Sequence, residues 1–234
     1  MGIKGFIENN LYVQFFMHPI KTTNHIKNAI TIAGNFKEVF AEQGYRWLFD
    51  RIKPGTTLID IGGTTGDTAI YFSMSQNTKK IISFEASPRF SRAAKEIIAM
   101  SPNREKIEFN NIAVTSDGLP RVFNTRTSGS DFARNPKMGF GEKVNAATLK
   151  SIIEKATATG AKNIAIKCDC EGEESRIFND ANLENVYAMQ IECHNGCKPL
   201  LSKKLEDNGF KITVLSASPD EQSAIIGAER MPDR

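Results

Sequence analysis

The densest chemistry in this 234-residue chain is the run Lys167-Cys168-Asp169-Cys170-Glu171-Gly172-Glu173-Glu174, followed later by Glu192-Cys193-His194. Alternation along a strand places Lys167, Asp169 and Glu171 on one face and the cysteines on the other, and it pairs Glu192 with His194. At the carboxyl ends of neighbouring parallel strands, such side chains converge on the crevice where open α/β sheets bind ligands. Carboxylates and an imidazole gathered there suit removal of a proton from a neutral acceptor. A simple base is the expectation, with no metal assigned. The alternative is a divalent ion held by Asp169, Glu192 and His194, acidifying a bound hydroxyl. Acidic residues also favour a helix N-terminus, which accounts for Glu173 and competes for Glu174 but explains Asp169 poorly.

A second constellation precedes it. The first strand ends Asp60-Ile61-Gly62-Gly63-Thr64-Thr65-Gly66, a glycine-rich turn that admits a ligand close to the backbone. It lacks the Gly-x-Gly-x-x-Gly dinucleotide fingerprint. An acidic side chain opening the turn repels phosphate and suits a cationic amino group. S-adenosylmethionine (SAM) carries an amine and a sulfonium, so Asp60, Gly62, Gly63, Thr64 and Gly66 favour SAM over a dinucleotide. Glu85 ends the second strand, where a carboxylate accepts hydrogen bonds from ribose hydroxyls. Asn111 and Ile112 end the third, beside the expected adenine, with turn capping an equal reading for Asn111.

The elements that must hold these residues are legible as alternating strands and helices after Gly55. Strands are expected at residues 57–61, 80–84, 107–114, 164–169, 186–193, 211–215 and 224–227, the last two as a hairpin. Helices are expected at 67–75, from Ser87-Pro88 onward, around Leu149–Ala156, at 173–179 and up to Asn208-Gly209. That order predicts a mostly parallel sheet with an antiparallel finish. Residues 124–145, rich in Ser, Gly, Asn, Arg and Lys, read as a long loop and a candidate substrate lid. Residues 1–55 read as an N-terminal helical extension or cap, and 56–234 as the catalytic domain. His18 and His25 lie in the extension without a charged constellation and read as structural or solvated.

Composition narrows the class. The net charge of +3 is mild and its basic residues are dispersed, which argues against nucleic acid as the main partner. No apolar run approaches the roughly 18–20 residues of a membrane span, and no secretory signal pattern opens the chain, so a cytoplasmic protein is expected. The four cysteines, Cys168, Cys170, Cys193 and Cys197, lack zinc-knuckle spacing and read as buried free thiols.

With these residues in view, the chain resembles the FkbM family of SAM-dependent methyltransferases over roughly residues 56–227. The family's Asp-x-Gly-Ala-Asn-x-Gly stands here as Asp60 to Gly66, its aromatic-Glu pair as Phe84-Glu85, and its Lys-x-Asp-x-Glu-Gly-x-Glu as Lys167 to Glu174. Its Glu-x-His stands as Glu192 and His194. Gly63-Thr64 replaces Ala-Asn, and Thr148-Leu149-Lys150 replaces Thr-Leu-Asp. The resemblance implies a Rossmann-like class I methyltransferase fold. Such a fold has a mostly parallel seven-stranded sheet, an antiparallel C-terminal strand and helices on both faces. It further implies SAM as cofactor and O-methylation of a small-molecule or glycan hydroxyl, with Lys167, Asp169, Glu171, Glu192 and His194 at the chemistry. An RNA methyltransferase and a catalytically silent SAM-binding protein are the rival readings, and the oligomeric state stays open.

Overall fold

The computed structural model describes residues 34–123 and 141–231. Seven strands form one sheet. In chain order they are β1 (Thr56–Ile61), β2 (Thr78–Phe84), β3 (Ile107–Asn110), β8 (Ile164–Cys168), β9 (Val186–Cys193), β10 (Phe210–Ala217) and β11 (Ala224–Arg230). Four two- to three-residue strands intervene: β4 (Ala113–Val114), β5 (Arg121–Phe123), β6 (Glu142–Val144) and β7 (Ala146–Ala147). The order across the sheet is β10-β11-β9-β8-β1-β2-β3. The strands from β3 to β9 pair in parallel, and β11 runs antiparallel to both of its neighbours. This is the mostly parallel, Rossmann-like sheet with the expected antiparallel end.

Burial on both faces follows from the pleat. Alternate strand residues such as Ile59, Ile61, Ile166, Met189 and Ile191 face one core, covered by α4 (Leu149–Ala158), α5 (Glu174–Ile177) and α6 (Lys198–Asp207). Their neighbours Leu58, Ile81, Ala165 and Ala188 face the other core, covered by α2 (Asp67–Ser73), α3 (Pro88–Ala99) and the chain before β1. Because both faces are covered, β1 reads as an unbroken buried run rather than an alternating one.

Local signals behave as expected at several helix ends. Ser87 Oγ accepts from Phe90 N with Pro88 in the first turn of α3, and Thr148 Oγ1 accepts from Ser151 N at the start of α4. Gly209, at φ 83°, closes α6.

Residues 34–55 lie on the second face. They contain a π-helical turn, Lys37–Ala41, and the one-turn α1 (Arg46–Phe49). Phe36, Val39, Phe40, Leu48 and Ile52 are buried there, and Phe49 and Phe40 meet Tyr71 at ring-centroid distances of 4.7 and 5.4 Å. Gln190 of β9 pins this segment, donating to Gly44 O at 2.7 Å and accepting from Leu48 N at 3.2 Å.

The third strand is shorter than expected. It stops at Asn110, and Ala113–Val114 leaves the sheet to pair with β7. The expected 124–145 loop contains β6, which pairs with β5; residues 124–140 lie outside the described residues, as do His18 and His25. No helix among the described residues is long and apolar enough to cross a membrane.

Candidate functional site

The strand order reverses between β1 and β8, the place at whose carboxyl ends open α/β sheets bind ligands in a crevice. The two backbones meet there. A Cβ on Gly62, which sits at φ 77°, would lie 1.7 Å from Asp169 O, so only glycine fits. The turn is held from β2 as well: Gly62 N and Gly63 N both donate to Phe84 O, at 3.0 and 2.9 Å.

Beneath the turn lies a buried charge pair. Asp60 is fully buried; its Oδ2 accepts from Ser83 Oγ at 2.7 Å and Thr68 Oγ1 at 2.9 Å, and its Oδ1 lies 3.7 Å from Lys167 Nζ. Lys167, 1% exposed, donates to Gly62 O at 2.6 Å and Ile61 O at 3.3 Å, lies 3.9 Å from Asp169 Oδ2, and faces the Tyr45 ring at 5.4 Å. Burial opposes its charge, but Tyr45 and the carboxylates Asp60, Asp169 and Asp67 outweigh that and hold the ammonium well above the usual lysine range. Two expectations are thereby corrected. Asp60 does not open toward the crevice as a free carboxylate, because Lys167 and two hydroxyls engage it from below. Lys167 does not share an accessible face with Asp169 and Glu171; it is a strut under the turn.

The second strand supplies the next carboxylate. Glu85 is nearly buried, with Oε2 accepting from Thr64 N at 2.9 Å and Oε1 from Ser87 N at 2.5 Å. Burial pushes it up to about 7, against those two N–H groups. Each oxygen keeps acceptor capacity for a further donor. Thr64 itself has φ 41°, in the left-handed region that a β-branched residue rarely occupies. Asn111 serves the turn: its Nδ2 donates to Glu85 O at 2.8 Å and Ala86 O at 3.1 Å. Ile112 packs, partly buried, against the main core.

The remaining predicted residues gather beyond β8 and β9. Strand β8 ends at Cys168, so Asp169 and Glu171 stand on the loop rather than on the strand. That loop coils through left-handed positions, Glu171 at φ 59° and Gly172 at φ 112°, and a Cβ on Gly172 would meet Asn195 Nδ2 at 2.7 Å. The loop after β9 coils the same way at Asn195 and Gly196. The two loops therefore nest together and bring His194 against the β8 loop. Its Nδ1 lies 2.9 Å from Glu174 Oε1, and its Nε2 lies 3.7 Å from Glu192 and 3.8 Å from Glu171.

Glu174, for which helix capping competes with a role in the motif, is the hub of the cluster. Its side chain is fully buried, and Oε1 also accepts from Gly172 N at 3.0 Å and Cys170 N at 3.2 Å. Glu173 stands at the N-cap position of α5, as expected of an acid at a helix start, although its side chain makes no capping hydrogen bond and pairs with Arg176 at 3.4 Å. The hydrogen bond to Glu174 lifts His194 to about 9, against burial. Burial, then the charge of Asp169, push Glu192 up to about 7. Partial burial and Asp169 likewise raise Glu171 and Glu38. Glu38, on the π-helical turn, had no signal in sequence, because only tertiary packing carries the N-terminal segment to this crevice.

The four cysteines are free thiols in or against the main core, with Cys168 Sγ 3.8 Å from Cys170 Sγ.

No family model matches this chain, and no curated protein matches it. Solved structures do. The chain is similar to an O-methyltransferase from Bacillus cereus in complex with SAH, at 12% identity and TM-score 0.52, covering 98% of this chain and 100% of that one. It is also similar to methyltransferase FkbM from Methylobacillus flagellatus KT, at 13% identity and TM-score 0.50, covering 74% of this chain and 43% of that one. At such identities the likeness is one of fold: the chain has the Rossmann-like architecture that these methyltransferases share.

Proposed function

We propose that this chain is a SAM-dependent O-methyltransferase of FkbM type acting on a hydroxyl of a small molecule or sugar. The observation that carries the reading is Glu85, held by Thr64 N against the Gly62-Gly63 turn at the strand-order reversal. A nucleoside laid over that turn meets backbone at close range and finds a carboxylate for its ribose hydroxyls. The buried Asp60–Lys167 pair serves this pocket indirectly, by fixing the carbonyls of Ile61 and Gly62 and hence the shape of the turn. Asn111 fixes the next loop in the same way, and Ile112 offers an apolar edge beside it.

Bound SAM supplies an electrophilic methyl group, which passes to the acceptor oxygen while the electrons of the broken C–S bond remain on sulfur. The chain must align the acceptor and accept its proton. Glu192, partly exposed at the end of β9 and beside His194, takes the proton in this reading. Asp169 and Glu171 line the approach, and His194, tied to Glu174, orients Glu192 and Glu171. The segment before β1 acts as a cap, bringing Glu38 to the same opening.

Calorimetric titration with SAM, S-adenosylhomocysteine and NAD tests the cofactor. Binding of the first two, and a loss of roughly tenfold or more in Glu85→Ala, is expected from removal of an ionic acceptor. Binding of NAD alone overturns the reading. Transfer of label from SAM to hydroxylated metabolites in an extract tests the reaction; binding without any turnover favours a silent SAM-binding protein.

A further inference from the structure

We infer that Asp169, Glu174 and His194 form a divalent-cation site in the floor of the acceptor pocket. The proposal rests on the methyl-transfer reading for its purpose, but not for its geometry. One oxygen or nitrogen from each residue lies within 4.8 Å of the other two, the spacing of donors around one ion. A mixed set of two carboxylates and an imidazole suits borderline and hard divalent ions such as Mn²⁺ and Mg²⁺.

Three further observations favour an ion over a cluster of self-satisfied acids. Glu174 is completely buried, yet its Oε2 has no hydrogen-bond partner among the described residues, and the buried Oδ1 of the partly exposed Asp169 lacks one as well. Buried carboxylate oxygens are normally partnered, and a cation is the natural complement. The second observation is charge. Asp169, Glu171, Glu174 and Glu192 gather around His194, while Lys167, the ammonium 3.9 Å from Asp169, is shared with Asp60 and donates to the carbonyls of the turn, which leaves the acids in excess among the described residues. The third is the far side of the imidazole. With Nδ1 given to the ion, the ring proton resides on Nε2, where Glu192 and Glu171 stand at 3.7 and 3.8 Å. Ligating histidines in metal proteins are oriented by a carboxylate hydrogen-bonded to the outer nitrogen, and here two carboxylates stand within ion-pair reach of it, just beyond hydrogen-bond distance.

The two nested loops explain why these donors are preassembled. Backbone N–H groups of Cys170 and Gly172 hold Glu174 Oε1 in place whether or not an ion is present. An ion there would take the acceptor hydroxyl as a further ligand and make its proton easier to lose, the proton passing to Glu192.

The test uses the full chain with Mn²⁺, and affinity for S-adenosylhomocysteine measured in parallel. The expected result is one Mn²⁺ per chain, with selective broadening of one of the three histidine C–H lines in the NMR spectrum. Asp169→Asn and His194→Gln should each weaken Mn²⁺ by at least about tenfold while leaving S-adenosylhomocysteine affinity within about threefold. The proposal is overturned if no Mn²⁺, Mg²⁺ or Zn²⁺ binds below about 1 mM. It is equally overturned if Mn²⁺ binds without broadening any histidine line. Loss of S-adenosylhomocysteine binding by the unaltered chain would instead defeat the cofactor reading, and leaves the ion measurement standing.

Discussion

The turn after β1 and the cluster beyond β8 and β9 are built from similar residues and reach opposite electrostatic states. Under the turn, Asp60 has two hydroxyl donors and Lys167, and Lys167 has two carbonyls. Charge is matched there, water is excluded, and the backbone is fixed. Around His194 the carboxylates outnumber the cations, and the buried Asp169 Oδ1 and Glu174 Oε2 lack hydrogen-bond partners; Asp60 Oδ1 also accepts no hydrogen bond, but Lys167 Nζ stands 3.7 Å from it. A region whose acid has its own cation at hand gives shape to a pocket. A region with unspent acceptors still has chemistry to do, and the contrast separates the residues that frame the site from those that act in it.

Breaking the satisfied side should have the largest effect on folding. Lys167→Met leaves Asp60 buried without its cation and is expected to cost about 3–5 kcal/mol in chemical denaturation. Adding Asp60→Asn should recover at least ~1 kcal/mol of that, because the two residues share one interaction. Additive losses in the double variant would show that the pair is not coupled.

On the unsatisfied side the effect should fall on turnover. Glu192→Gln is expected to lower kcat by about 10²–10⁴-fold with little change in Tm, as for loss of a general base. A large fall in Tm with turnover preserved would move Glu192 to the framing class.

Glu85 stands between the two regions, and pH separates its two roles. Its folded value, about 7, is above the ordinary 4.5, so the fold holds a proton that the unfolded chain has lost. Stability from this group is fully present below about 4.5 and is lost as pH rises through about 7, by on the order of 1–3 kcal/mol. Ligand binding runs the other way. Ribose hydroxyls donate best to the ionised carboxylate, so affinity for S-adenosylhomocysteine should tighten as pH rises from 6 to 8. Titrations at the two pH values should show this for the natural chain and not for Glu85→Gln.

The smallest expected effect concerns Thr64. Asparagine tolerates the left-handed backbone better than a β-branched residue, so Thr64→Asn should stabilise the chain by about 0.5–1 kcal/mol. Unchanged or lowered stability would mean that the threonine side chain contributes more than its backbone strain costs.

The sheet was legible because its evidence is local. Apolar strands, the Ser87-Pro88 and Thr148 helix starts and the Gly209 stop each follow from a few neighbouring residues. The break of the third strand at Asn110 was not, since Ile107 to Val114 stays compatible with a continuous strand until β7 offers Ala113 another partner. Residue types likewise announced the two constellations in the right order along the chain. They did not announce that Asp60 and Lys167, 107 positions apart, would neutralise one another below the turn.

The sequence by itself determined the alternation of strands and helices, the glycines that permit the turn, and which strand ends carry acids. The tertiary structure alone decided which acids are satisfied. That depends on partners brought in from distant segments: Lys167 under Asp60, Glu174 against His194, Glu38 from the chain before β1. The charge state of a carboxylate is set by the distance and burial of its neighbours, and neither is a property of spacing along the chain.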